Sequence, residues 1–78
     1  MKLIRFDNGE YINAGYIFSL RTWKYASRKE NQYALIAHLS PSSPALVISY
    51  HPDQESAELA LTSLLEELQK IPDQVIIA

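Results

Sequence analysis

Apolar residues recur every three or four positions through residues 52–70, Pro-Asp-Gln-Glu-Ser-Ala-Glu-Leu-Ala-Leu-Thr-Ser-Leu-Leu-Glu-Glu-Leu-Gln-Lys. At about 100° per residue, Ala57, Ala60, Leu61, Leu64, Leu65, Leu68 and Ile71 fall on one stripe. Glu58, Thr62, Ser63, Glu66, Glu67, Gln69 and Lys70 fall on the other side. The pattern predicts one amphipathic helix over residues 52–70. Pro52 suits its first position, where a missing N–H costs nothing; the alternative start has Asp53 as the N-cap. Asp53 and Glu55 then meet the positive end of the helix dipole. Lys70 suits the last turn, and Pro72 is a stop because it disfavours helix at Ile71. Leu59 breaks the pattern, about 200° around from Ala57 and set among acids. It is either a lone exposed leucine, which is common, or a contact point for a partner.

The chain before this helix has the period of strands. Lys2 to Phe6 alternates, and Asp7-Asn8-Gly9-Glu10 follows. Asn-Gly is a strong hairpin signal, since both turn positions favour positive φ. Tyr11-Ile12-Asn13 begins the return, and Ala14-Gly15 is a bulge or turn. Tyr16 to Tyr25 is rich in aromatic and β-branched residues, and residues 26–32 are a polar loop. Tyr33 to Leu39 and Ala45 to Tyr50 are strands flanking the turn Ser40-Pro41-Ser42-Ser43-Pro44. Val75-Ile76-Ile77 is a short tail able to return to a sheet edge. The expected fold is α+β: an antiparallel meander of four to six strands packed against one C-terminal helix, in a single domain spanning residues 1–78.

The strands 33–39 and 45–50 are apolar on both faces. Strict alternation places Tyr33, Leu35, Ala37 and Leu39 opposite Ala34, Ile36 and His38, and Ala45, Val47 and Ser49 opposite Leu46, Ile48 and Tyr50. A sheet with one wet face alternates more cleanly, and one helix covers one face. Sheet curling, the C-terminal tail or another copy of the chain must cover the second. A domain of 78 residues buries only about 60% of its unfolded surface. It gains most from association, so a homodimer or higher homo-oligomer is expected.

Charge sharpens this. The net charge is −2, but residues 1–50 carry six basic and three acidic side chains, and residues 51–78 carry one basic and six acidic. The separation suits either head-to-tail pairing of two copies or two separately solvated faces. With no cysteine there is neither a disulfide nor a thiolate zinc site. Arg5 and Asp7 interrupt the N-terminal apolar run, so no signal peptide is read there. No stretch approaches the roughly 20 apolar residues of a membrane span. A cytoplasmic protein without membrane association is expected.

Catalytic constellations are thin. His38 and His51 are not at metal-ligand spacing. His38 lies mid-strand as a packed or interface residue, and His51 is a junction residue before the helix. Glu66 and Glu67 are adjacent but point about 100° apart on a helix. Nucleophile-elbow, P-loop and dinucleotide motifs are absent. The chain is expected to be non-catalytic, with no cofactor and no metal. The strongest candidate surface is Arg21-Thr22-Trp23-Lys24-Tyr25-Ala26-Ser27-Arg28-Lys29, which holds four of the seven basic residues and no acid. Alternation puts Arg21, Trp23 and Tyr25 on one strand face and Lys24 on the other. The leading expectation is a protein-interaction or regulatory module whose contact residues are Arg21, Trp23, Tyr25 and Leu59. The alternative is a weak nucleic-acid binder using Arg21, Trp23, Lys24, Arg28 and Lys29, whose rings stack bases while cations neutralise phosphates. A pI of about 5.5 argues against the alternative, since dedicated binders are usually basic.

The segments from Asn8-Gly9-Glu10-Tyr11-Ile12-Asn13 to Ile17-Phe18-Ser19-Leu20, and from Ser49-Tyr50 to Leu68, resemble a pattern in small bacterial proteins. That pattern is an NG hairpin, a meander and a closing helix, and FlbD-like small flagellar proteins share part of its outline. The resemblance covers about half the chain and implies the fold class. It supplies no catalytic residue, and the segment after Leu20 departs from it.

Overall fold

The computed structural model describes residues 2–70 and 75–77. Its elements are β1 (Lys2–Arg5), β2 (Tyr11–Asn13), a 3-10 turn (Ala14–Tyr16), β3 (Ser19–Lys24), β4 (Tyr33–His38), β5 (Leu46–His51), α1 (Gln54–Gln69) and β6 (Val75–Ile77). The expected α+β meander with its helix is present. The strands divide between two three-stranded sheets, β2-β1-β6 and β3-β4-β5. The tail 75–77 returns to a sheet edge, pairing with β1 in parallel, Leu3 opposite Ile76.

The hairpin at Asn8-Gly9 forms with a turn other than the one its dipeptide suggests. Gly9 has φ of 90°, and Asn31 is the non-glycine residue with positive φ, so Asn8 is not left-handed. The Gly9 N–H donates to the Phe6 carbonyl, and the Phe6 N–H donates to the Glu10 carbonyl. This is a three-residue loop closing on a left-handed glycine. Asn8 adds a side-chain bond, its Oδ1 accepting the Glu10 N–H at 2.9 Å. The loop also reaches the second sheet: the Asp7 N–H donates to the Val47 carbonyl at 3.0 Å. Ala14-Gly15 forms a 3-10 turn, with the Asn13 side chain accepting the Gly15 N–H.

The core lies between the two sheets and the helix. Ile4, Phe6, Leu35, Ala37, Ile48 and Leu64 are its buried members, and Leu61 and Leu68 pack against it. Helix α1 lies across β3, β4 and β5, and its own Ala57 is fully buried. Asp53 is the N-cap, and its carboxylate accepts the Ser56 N–H at 2.7 Å. Pro52 therefore precedes the helix instead of opening it. The stripe holds at Ala57 and Leu64, but Leu65 is 43% exposed, where it borders a groove beside Phe18 and Leu20. At the far end, the Lys2 ammonium of β1 donates to the carbonyls of Leu68 and Lys70. A cation from the other sheet thus meets the negative end of the helix dipole. Lys70 pairs with Glu67 at 2.9 Å. The expected roles of Ile71 and Pro72 fall outside the described residues.

The Asp53 carboxyl is held below its ordinary value, first by the Ser56 backbone N–H, then by the Ser56 hydroxyl, with a smaller push from His51. A depressed folded-state pKa means the cap stabilises the fold above about pH 4. That contribution is lost as pH falls through the folded value. Asp53→Ala should therefore lower Tm clearly at pH 7, and the gap from wild type should narrow towards pH 2. A gap of equal size at both pH values would show that the charge at the cap contributes nothing.

Candidate functional surface

The two faces of β3-β4-β5 are set by register. Leu20, Ala37 and Leu46 lie opposite one another, as do Thr22, Leu35 and Ser49. Leu35, Ala37, Leu20 and Leu46 join the core, so these rows form the inner face under α1. The outer face then carries Arg21, Ile36 and Val47 in one row and Trp23, Ala34 and Tyr50 in the next. Strict alternation in β5 would have put Tyr50 on the face opposite Val47. A register shift between Leu35 and Ile36 leaves Ile48 as an extra residue, turned into the core, and brings Tyr50 round to the side of Val47.

Ala34 and Ile36 are 0% and 1% exposed, yet they belong to the face that α1 does not cover. In register, Arg21 and Val47 flank Ile36, and Trp23 and Tyr50 flank Ala34. The short Ala34 leaves room between Trp23 and Tyr50, its neighbours in register. Tyr25 continues the line of β3, held by its N–H to the Gln32 carbonyl at 2.7 Å. Its ring meets Tyr50 edge-on, with centroids 6.3 Å apart at 64°. Two guanidinium groups lie on this aromatic layer, Arg21 at 4.9 Å from the Trp23 centroid and Arg28 at 3.7 Å from that of Tyr50. Arg28 is further fixed by donating from Nε to the carbonyls of Glu30 and Asn31. The left-handed Asn31, with φ of 49°, bends the loop that permits this. Each guanidinium–ring contact contributes about 0.5–1 kcal/mol at an exposed site.

The structure therefore brings Arg21, Trp23 and Tyr25 together and adds Arg28 and Tyr50. Trp23 is 49% exposed, a surface residue rather than a core one. Among the described residues the ion pair is Lys70–Glu67, so neither arginine of the patch is neutralised by a carboxylate. Lys24 faces the other way, its ammonium 5.6 Å from the Tyr33 centroid, and Lys29 is exposed in the loop. Leu59 is 62% exposed on the outward side of α1, across the molecule from the patch. Sequence reasoning missed Tyr50, whose facing depends on the bulge. It also missed an apolar groove between the start of β3 and α1, where Phe18 and Leu65 are exposed.

The histidines are both tied to neighbours. His38 Nδ1 donates to the Ser43 carbonyl at 3.1 Å, and its Nε2 is buried without a partner among the described residues. Ser49 Oγ and His51 Nε2 are 2.7 Å apart and border a cavity of about 240 Å³ against α1, floored by Leu35, Ile48, Ala60 and Leu64. The bond satisfies two polar groups on the inner face of β5. Among the described residues no cluster of three or more His, Cys, Asp or Glu is arranged to hold a metal ion. Nor is any helix there long and apolar enough to cross a membrane. No protein-family model, curated protein or solved structure matches the chain.

The two layers of the outer face should separate by mutation. Ile36→Ala removes buried methyl groups and should cost about 3 kcal/mol in urea unfolding followed by circular dichroism. Trp23→Ala removes a half-exposed ring and should cost about 1 kcal/mol. A Trp23→Ala loss as large as that of Ile36→Ala would place the indole in the core.

Proposed function

We propose that this chain is a non-catalytic protein-interaction module that receives an acidic partner surface on the outer face of β3-β4-β5. The observation that carries this reading is the patch itself. Arg21 and Arg28 are stacked on Trp23 and Tyr50, above buried Ala34 and Ile36. Trp, Tyr and Arg are the residue types that dominate binding energy at protein interfaces. Guanidinium is weakly hydrated and planar, so it exchanges water for carboxylate at less cost than ammonium does, and it binds carboxylates bidentately. Both guanidinium groups lie against rings, and the bonds to the loop carbonyls further order Arg28, which reduces the entropy lost on binding.

The same features weigh against nucleic acid. A base stacking on the ring face that a guanidinium occupies must displace it. Lys24, one of the five residues of that alternative, faces the other side of the sheet. The net charge of −2 adds long-range repulsion of a polyanion.

The test is capture from native cell extract, with and without nuclease, comparing wild type with Trp23→Ala and Arg21→Glu/Arg28→Glu. We expect partners that survive nuclease and are lost with both variants, while circular dichroism stays unchanged. Capture abolished by nuclease would instead support the nucleic-acid alternative. Capture indifferent to both variants would exclude the outer face.

A further inference from the structure

The helix displays the chemistry that the outer sheet face lacks. Along its outward ridge Glu55, Leu59, Thr62 and Glu66 follow one another at i, i+4, i+7 and i+11, all exposed. Neither Glu55 nor Glu66 takes part in the ion pair found among the described residues. Leu59, 62% exposed, projects between them. From this juxtaposition we propose that the chain binds a second copy of itself head to tail, the α1 ridge of one copy lying on the outer face of the next. The proposal rests on the reading of that face as an acceptor of acidic surfaces and names the chain's own helix as a ligand for it.

Charge decides the geometry of pairing. Two outer faces meeting symmetrically would oppose Arg21 and Arg28 with their own copies, and two α1 ridges would oppose glutamates. Only the heterologous arrangement sets each arginine against an acid. The spacings are commensurate. Two residues along the strand and two strands across separate Arg21 from the Tyr50 ring under Arg28 by about 12 Å. Eleven helical residues separate Glu55 from Glu66 by about 16 Å, and the reach of the side chains absorbs the difference. Leu59 then falls over the rings between the arginines. Because α1 packs on the inner face of the sheet, ridge and patch lie on opposite sides of the molecule. A dimer formed this way leaves one patch and one ridge free, so association continues into a ring or an open stack.

Two blocked variants test this. Arg21→Glu/Arg28→Glu spoils the patch and keeps the ridge; Glu55→Gln/Leu59→Ser/Glu66→Gln spoils the ridge and keeps the patch, and its neutral ridge has no charge with which to pair the acidic face of the first variant. In sedimentation velocity at tens to hundreds of micromolar, wild type should pass beyond dimer as concentration rises. Each variant alone should remain monomeric, and their equimolar mixture should stop at a 1:1 dimer. Raising salt to 0.5 M should weaken the mixed dimer at least tenfold, as exposed charge pairs are screened. Formation of that dimer also shows that both variants are folded. A wild type that stays monomeric, a mixture that stays monomeric, or a wild-type dimer that survives both sets of changes would overturn the proposal. A monomeric wild type whose capture of extract proteins is still lost with Arg21→Glu/Arg28→Glu would refute self-pairing alone.

Discussion

One helix covers one face of β3-β4-β5, and the central strand of that sheet is buried on both. Ala34 and Ile36 point away from α1 and are nonetheless closed to water. Much else follows from how that closure is achieved. The neighbouring strands contribute large flat side chains, Trp23 and Tyr50, that flank the small Ala34 in register. The bulge at Ile48 makes this possible, because it sends Ile48 into the core and turns Tyr50 outward. The sheet thus flanks its second apolar layer with its own large side chains. It does so at the cost of leaving aromatic surface exposed.

Exposed rings attract cations, and the loop between β3 and β4 supplies one. Arg28 is held by its own loop carbonyls before it reaches Tyr50, and Arg21 lies on its strand neighbour Trp23. The outer face is therefore apolar beneath and cationic on top. The helix ridge is acidic with one leucine. Two basic residues of the N-terminal half, Arg21 and Arg28, thus lie on one side of the molecule, and the helix acids Glu55 and Glu66 lie on the other.

Much of this was legible in the sequence where a local rule governs. The Asn8-Gly9 hairpin, the Ser40–Pro44 turn, the helix and the Asp53 cap each follow from a few neighbouring residues. What escaped depends on distant partners. Lys2 as the cap of the helix C-terminus pairs residues from opposite ends of the chain. The division into two sheets depends on where the 3-10 turn redirects the chain. The exposure of Leu65 depends on where α1 sits against the start of β3, which no helical wheel contains. The outward turn of Tyr50 is a register event: one extra residue in β5 inverts every facing beyond it. Arg21, Trp23 and Tyr25 could be grouped from alternation alone because β3 pairs without a bulge. Arg28 lies outside any strand period, and its side chain is held by the loop carbonyls of Glu30 and Asn31.

The central claim is that the Trp23 layer is an open contact surface in the isolated chain. Trp23 is the single tryptophan, so its fluorescence reads that layer directly. The measurement is acrylamide quenching of intrinsic fluorescence as the chain is concentrated from the nanomolar range upward. The account predicts strong quenching at the lowest concentration. Protection and a blue shift should follow as contact forms, with no such change in Arg21→Glu/Arg28→Glu. A tryptophan already shielded at nanomolar concentration, or one still fully quenched in the associated state, would contradict it.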